Sequence, residues 1–177
     1  MEIAILDFIQ AIFKSPLMDR IMVLFTTLGN EGIIYYIILV LLLLNKKTRK
    51  LGVILGISML LNHILSNMTL KPLFARIRPF DVNTSVEIII KKPSSYSFPS
   101  GHTAQAFTTA FAFLFAKSKF TKSMFIFACI MAFTRLYLYV HYPTDILGGI
   151  VCGLISSYSG YKLVEFITKK MKKDSNN

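Results

Sequence analysis

The sequence predicts an all-α protein: a polytopic membrane helical bundle of about five to six membrane helices plus an N-terminal amphipathic helix. Hydrophobic residues make up 54% of the 177 residues and the mean hydropathy is +0.56, which is too apolar for a soluble domain of this length. Residues 32–44 and 51–70 contain no Asp, Glu, Lys or Arg. Because about 20 helical residues cross the roughly 30 Å hydrocarbon core, such runs indicate membrane helices.

Two breaks divide the first third of the chain. Residues 2–14 carry apolar side chains at helical spacing, which predicts an amphipathic helix in the membrane interface. Pro16 ends this helix, and residues 17–28 form a second short helix, either separate or joined to the first membrane pass. The break at 29–30 precedes a membrane segment over residues 31–44.

The remaining helices flank one long polar stretch. A membrane segment over residues 51–70 leads into residues 71–99, which are rich in Pro, Lys and Arg. Helices then cover about 100–116, 123–140 and 144–167. We expect the whole chain to form a single membrane-embedded domain, residues 1–177, with its functional region at 71–145.

The amino-terminal residues and the cysteines predict no cleaved signal peptide and no disulfide. Glu2 and Asp7 stand where a signal peptide is basic, so no cleaved peptide is expected. Cys129 and Cys152 both lie inside apolar segments, which predicts neither a disulfide nor a metal site.

The positive charge predicts the orientation in the membrane. The net charge is +11, and most of it falls in clusters at 46–50, 117–122 and 169–173, between apolar segments. Such clusters mark cytoplasmic loops, so we expect no nucleic-acid partner. Two crossings separate each cluster from the next, which puts 71–99 and 141–144 on the outer side. Basic residues there break the charge rule, and this indicates either a functional site or a basic loop at outer-leaflet lipid.

The first polar stretch on that side runs from Lys71 to Arg78-Pro79. Lysine supplies a compact point charge, and arginine supplies a planar fork that matches phosphate oxygens. The pair predicts a phosphate clamp. Taken alone, it also fits basic side chains that snorkel from a helix end.

The second stretch is Pro99-Ser100-Gly101-His102. Ser100 predicts an N-cap, and the free N–H groups of the helix start favour an anion. Gly101 lets a ligand approach the backbone closely, and His102 can act as an acid or base near neutral pH. The alternative is an ordinary helix cap with an interfacial histidine.

The third stretch contains Arg135, His141 and Asp145. Asp145 follows His141 by four residues and can accept a hydrogen bond from Nδ1–H, which leaves Nε2 free to attack. Arg135 ends the preceding helix and adds a phosphate donor. A histidine and an aspartate at this spacing also occur by chance.

The predicted topology brings all three stretches to one membrane face. Two histidines, one carboxylate, three cations and a helix start then supply a nucleophile, a proton donor and fixed charge for phosphoryl oxygens. No carboxylate cluster for magnesium and no zinc spacing occur in the sequence. We therefore predict phosphoryl transfer without a metal or other cofactor.

The ordered motifs Lys-x6-Arg-Pro, Pro-Ser-Gly-His and Arg-x5-His-x3-Asp resemble those of the type 2 phosphatidic acid phosphatase superfamily, over residues 71–145. The family also includes vanadium haloperoxidases, typically soluble, and glucose-6-phosphatase. One departure is Thr134, where the family usually has serine; threonine keeps the hydroxyl. The resemblance implies these roles: a phosphohistidine at His141, orientation by Asp145, leaving-group protonation by His102, and phosphate binding by Lys71, Arg78, Ser100, Gly101 and Arg135.

Small bacterial members of this family act on undecaprenyl diphosphate or phosphatidylglycerol phosphate. We expect undecaprenyl diphosphate, because the chain is compact. Phosphatidylglycerol phosphate or phosphatidic acid, a lipid phosphotransferase, and a lipid-binding protein with a retired site are the alternatives. The expected partners are the lipid substrate and membrane lipids, with no obligate protein partner. The expected location is a bacterial cytoplasmic membrane with the site on the outer face.

Other polar residues receive simpler interpretations. Arg76, Lys91 and Lys92 match no motif position, and we expect headgroup or loop contacts from them at most. His63 either supports Lys71 or makes a buried contact between helices.

Overall fold

Helices form the regular structure of residues 1–174, the part of the chain that this computed structural model describes. The predicted all-α class is confirmed for these residues. In chain order the elements are α1 (Glu2–Phe13), α2 (Pro16–Leu28), a 3₁₀ turn (Asn30–Gly32), α3 (Ile33–Leu44), α4 (Arg49–Asn62), a π-helical segment (His63–Leu70), α5 (Lys71–Phe74), α6 (Pro79–Val82), α7 (Gly101–Phe115), α8 (Thr121–Tyr137) and α9 (Pro143–Asp174).

The boundaries of the N-terminal helices differ from the prediction. Pro16 is the first residue of α2, because a proline lacks only an N–H that the first helical turn leaves unpaired anyway. Ser15 caps α2 by accepting a 3.3 Å hydrogen bond from the Met18 N–H. Glu31 and Gly32 have positive φ angles of 51° and 72°, which separate α2 from α3.

The helix predicted over 51–70 is longer than expected. It starts at Arg49 and continues through the π-helical segment to Phe74. Nothing in the apolar pattern of 63–70 distinguishes π-helical from α-helical turns. The predicted buried contact between helices at His63 is wrong: its Nδ1 lies 3.2 Å from the Asn67 amide of the same segment, and both residues are exposed.

Helix α7 lies at the centre of the bundle and packs against α4, α8 and α9. Small side chains make this possible. A Cβ added at Gly149 would lie 2.8 Å from the Ser100 carbonyl oxygen, and one added at Gly153 would lie 2.8 Å from the Thr108 nitrogen. The two glycines thus allow the backbones of α7 and α9 to approach closely, which fixes the start of α7 beside the start of α9.

Helices α1 and α2 pack on the end of α8. Their buried residues Leu6, Ile9 and Met22 belong to one apolar cluster with residues 137–140 and 142. This cluster surrounds the turn between α8 and α9. The N-terminal helices therefore support the turn in which His141 lies.

By length and hydropathy alone, the described chain has fewer candidate membrane helices than the five to six predicted. Two segments of the described chain are long and apolar enough to cross a bilayer, Arg49–Val82 and Pro143–Asp174. The pair Pro16–Leu28 and Asn30–Leu44, bent by 44°, gives a third if it acts as one span. Helices α7 and α8 have 15 and 17 residues, whereas a helix that crosses the bilayer perpendicularly needs about 20.

We predict that Gly153→Ala destabilises the fold. The new methyl group would meet α7 backbone, which cannot move without shifting the helix, and such overpacking costs about 1–3 kcal/mol. The melting temperature in detergent should fall. Gly56→Ala is the matched control, because its Cβ would lie 3.5 Å from the Leu39 side chain, an ordinary contact. Equal melting temperatures for the two variants would contradict the close α7–α9 packing.

Candidate active site

His141 lies in the turn between α8 and α9, with a side chain that is 2% exposed. Its Nδ1 is 3.4 Å from Asp145 Oδ2, and its Nε2 is 3.3 Å from Arg78 Nη1. An arginine only donates, so Nε2 is the acceptor and carries the lone pair. The proton is then on Nδ1 and is donated to Asp145.

The environment of His141 keeps its ring neutral. Burial, helped by the charges of Arg78 and Arg135 and opposed by the hydrogen bond to Asp145, lowers the pKa of His141 to about 3. A neutral imidazole has a free lone pair at physiological pH. His141 therefore meets the first requirement of a nucleophile.

The turn that presents His141 has an uncommon backbone conformation. Tyr139 has a φ of 59°, a left-handed value that tyrosine rarely adopts. Its hydroxyl donates a 2.6 Å hydrogen bond to Asp7 of α1 and accepts a 3.0 Å bond from Asn83. The Val140 N–H bonds to the Arg135 carbonyl at 3.2 Å. These contacts hold the turn in one conformation.

Asp145 is fully buried and accepts several hydrogen bonds besides the one from His141. The Tyr142 N–H lies 2.9 Å from Oδ2, and the Ser97 hydroxyl lies 2.5 Å from the same oxygen. The Ser100 N–H donates to the Asp145 carbonyl at 3.0 Å. The start of α7 and the start of α9 are thereby joined through one residue. The sequence did not indicate Ser97.

Lys71 and Arg78 share their acceptors. Lys71 Nζ donates to Ser95 Oγ and to the Tyr96 carbonyl, both at 3.1 Å. Arg78 donates to the same two groups at 3.2 and 3.3 Å, and to the Val140 carbonyl at 2.8 Å. Both cations are almost fully buried. Ser95, which the sequence did not indicate, holds them side by side.

Ser100 and Gly101 begin α7 as predicted. The Ser100 side chain accepts from the Thr103 N–H at 3.4 Å and is fully buried. A Cβ added at Gly101 would lie 3.6 Å from Asn67 Oδ1 and 3.9 Å from Lys71 Cε. Gly101 thus faces the Lys71 side chain, at distances that a methyl group would fill with ordinary van der Waals contacts.

His102 and Arg135 are held by the N-terminal segment instead. His102 Nε2 lies 3.1 Å from Asn30 Oδ1, and Arg135 Nη1 bonds to the Thr26 hydroxyl. A Cβ added at Gly29 would lie 2.8 Å from His102 Cδ2, so only glycine fits beside this ring. Arg135 Nε is buried without a protein partner in residues 1–174, which leaves a donor for a ligand.

The expectation for Arg76 is wrong. Arg76 Nη1 lies 2.6 Å from Asp145 Oδ1, and Nη2 lies 2.5 Å from Glu2 Oε2. It does not serve only a headgroup or loop. No pattern could indicate this role, since Glu2 and Asp145 lie 74 and 69 residues away. Lys91 and Lys92 are exposed outside this cluster.

Hydrogen bonds thus connect five of the eight residues predicted from the sequence, with Lys71 joined through the shared acceptor Ser95, while two meet the N-terminal segment and one, Gly101, faces Lys71. The connected five are Lys71, Arg78, Ser100, His141 and Asp145. Within residues 1–174 no group of three or more His, Cys, Asp or Glu side chains is arranged for a metal ion. Buried cations can bind a tetrahedral oxyanion, and a neutral imidazole beside them can attack its central atom.

Comparison with known proteins supplies independent information. Residues 47–169 match the PAP2 superfamily. An undecaprenyl-diphosphatase of Sulfolobus acidocaldarius is 31% identical over 77% of this chain, which spans 66% of that protein's length. Phosphatidylglycerophosphatase B of Bacillus subtilis is 30% identical over 92% of this chain and 81% of its own length. The crystal structure of Aquifex aeolicus LpxE superimposes with a TM-score of 0.79 at 28% identity, over 91% of this chain and 94% of that one.

We predict that Arg78→Gln weakens the binding of inorganic phosphate. A charge-assisted hydrogen bond contributes about 1.5–3 kcal/mol, so the Kd should rise roughly 10- to 150-fold. Isothermal titration of the detergent-solubilised protein measures it. Lys91→Gln, which removes an exposed cation outside the cluster, should leave the Kd unchanged. A wild-type Kd for Arg78→Gln would contradict the assignment of this cluster as an oxyanion site.

Proposed function

This chain belongs to the PAP2 superfamily, and from that membership we propose that it is a membrane phosphatase that removes phosphate from a lipid phosphate or diphosphate. The observation that carries the proposal is the buried His141–Asp145 pair, with the lone pair of Nε2 directed at the Arg78 guanidinium. A phosphate bound by Arg78 would meet that nitrogen directly.

In the first step, His141 Nε2 attacks phosphorus and the bond to the leaving oxygen breaks. His102 donates a proton to that oxygen, so the lipid leaves as a neutral alcohol or, from a diphosphate, as a lipid monophosphate. Asp145 accepts the Nδ1–H throughout and stabilises the positive charge that forms on the ring. The product of this step is a phosphohistidine.

In the second step, water attacks the phosphohistidine and inorganic phosphate leaves. His102, now deprotonated, accepts the proton of the water, and His141 returns to its neutral form. An alcohol in place of water would make the same site a phosphotransferase, and product analysis with a lipid alcohol present separates the two.

Three side-chain cations support a reaction that uses no metal ion. Lys71, Arg78 and Arg135 would contact the phosphoryl oxygens and offset the charge that develops on them, which is the task a divalent ion performs elsewhere. The backbone N–H groups at the start of α7 would add donors for the same oxygens.

For the substrate we propose undecaprenyl diphosphate. The name of the Sulfolobus relative supports this choice. Phosphatidylglycerol phosphate is the second candidate, which the name of the Bacillus subtilis relative favours. Both lipids carry their phosphate at the membrane surface, where a site at the end of a helical bundle can reach it.

The proposal also includes the arrangement in the membrane. Residues 1–177 form one domain with five crossings: the α2–α3 pair, the helix from α4 to α5, α7, α8 and α9. Charge clusters lie at 46–50, 117–122 and 169–173, and they support a cytoplasmic location for the helix ends that are farthest from His141. His141 then lies at the outer face of a bacterial cytoplasmic membrane.

We predict that His141→Ala abolishes phosphate release, with a fall of roughly 10⁴-fold or more. Asp145→Asn should lose about 10²- to 10⁴-fold, because an amide orients the ring poorly and does not stabilise its charge. Released phosphate is measured in mixed micelles, with and without EDTA. His63→Ala is the control, since His63 is exposed and its one side-chain hydrogen bond in the described chain is to Asn67.

The same assay separates the substrates and the mechanism. The kcat/KM for undecaprenyl diphosphate should exceed the values for phosphatidylglycerol phosphate and phosphatidic acid. Radiolabelled phosphate should remain on the wild-type protein as an acid-labile adduct that His141→Ala lacks. Loss of activity in EDTA that magnesium restores would refute the metal-independent reaction, and no release from any lipid would refute the phosphatase.

We predict that a cysteine at position 85 reacts with a membrane-impermeant maleimide in intact cells, whereas one at position 120 reacts only after permeabilisation. Ser85 and Phe120 are both exposed and lie at opposite ends of the bundle, outside the helices. The background variant lacks Cys129 and Cys152. Protection of position 85 in intact cells would place the site on the cytoplasmic side and refute the proposed orientation.

A further inference from the structure

Arg76 occupies the side of Asp145 that faces away from His141. The two carboxylate oxygens have different partners: Oδ2 accepts from His141, Ser97 and Tyr142, whereas Oδ1 accepts from Arg76 at 2.6 Å. Rotation about the last torsion of an aspartate has a broad energy minimum. Contacts on both oxygens are therefore needed to fix the plane of the carboxylate, and Arg76 supplies the contact on Oδ1.

Arg76 is itself held on several sides. Its Nη1 also donates to Thr144 Oγ1 at 2.6 Å, and its guanidinium carbon lies 3.9 Å from the centre of the Tyr142 ring. Its Nη2 donates to Glu2 Oε2 at 2.5 Å. Both terminal nitrogens are thus engaged by protein groups.

Glu2 connects this arginine to the N-terminal helix. Its other oxygen, Oε1, accepts from the Thr144 N–H at 3.0 Å and from the Thr144 hydroxyl at 2.7 Å. A carboxylate at the first turn of α9 also meets the positive end of the helix dipole. Glu2 therefore holds Arg76 and caps α9 at once, from a part of the chain that precedes the family match at 47–169.

We propose that Arg76 is a positioning residue for the nucleophile, acting through Asp145, and that Glu2 of α1 holds Arg76 in place. The proposal rests on the phosphatase function proposed above. It makes the orientation of the His141 ring depend on a chain of contacts from α1 through Arg76 and Asp145. Arg76 does not contact the phosphate, because Asp145, Thr144 and Glu2 engage its terminal nitrogens.

The test compares kcat and KM for four variants. Arg76→Gln should lower kcat roughly 10- to 100-fold, the loss that follows from a small displacement of a reacting group. Its KM should stay at the wild-type value. Arg76→Lys should recover part of kcat, because an ammonium can reach Oδ1 but cannot hold Thr144 and Glu2 together. Glu2→Gln should show a smaller loss, again in kcat.

Glu165→Gln is the matched control. Glu165 pairs with Lys50 at the other end of the bundle, and the exposed fractions of its side chain and of Glu2 are 28% and 30%. Its kcat and KM should equal those of the wild type. Melting temperatures of all four variants in detergent show whether a loss of kcat reflects unfolding, and Glu2→Gln and Arg76→Lys remain informative if Arg76→Gln does not fold.

Three results would overturn the inference. One is a wild-type kcat for Arg76→Gln. Another is an increase in KM that is larger for a lipid diphosphate than for a monophosphate, since Arg76 would then contact substrate directly. The third is an unchanged kcat for Glu2→Gln, which would remove α1 from the chain of contacts. An inactive wild type refutes the phosphatase and the inference together, whereas an active wild type with unaffected variants refutes the inference alone.

Discussion

The buried carboxylate of Asp145 is the group on which the arrangement of this site depends. Removing a charge from water is costly, and a carboxylate at 0% exposure is stable only when its oxygens are paired. The partners come from distant parts of the chain: Arg76 beyond α5, Ser97 from the long loop, and His141 and Tyr142 from the turn before α9. Satisfying one buried charge thus brings together segments that the membrane helices alone would leave independent.

The packing of the helices sets where these segments can meet. Gly149 and Gly153 let the backbone of α9 approach α7, so that the Ser100 N–H reaches the Asp145 carbonyl at 3.0 Å. The cap of α7 and Asp145, the proposed partner of the nucleophile, are therefore positioned by the same close contact. A larger residue at either glycine would separate Ser100 from Asp145 as well as α7 from α9. The same contact thus bears on the stability of the fold and on the proposed chemistry.

The sequence predicted contacts within a motif better than contacts between distant segments. His141 and Asp145 are four residues apart, and their types and spacing predict the contact that the structure has at 3.4 Å. Thr26 contacts Arg135 across 109 residues of sequence, and Asn30 contacts His102 across 72. Threonine and asparagine are common residue types that do not by themselves indicate such a contact. Such pairs leave no local pattern. The π-helical turns at 63–70 were missed for a related reason, because hydrophobic periodicity does not resolve them from α-helical turns.

The bond from Glu2 to Thr144 and Arg76 has a practical consequence for recombinant work. Met1 is fully exposed while Glu2 bonds to Arg76 and Thr144, so added sequence before Met1 has room to extend outward but begins one residue from these bonds. An acidic affinity tag at the amino end would compete with Glu2 for Arg76. The carboxyl end of α9 is exposed and lies at the opposite side of the bundle, where purification handles belong.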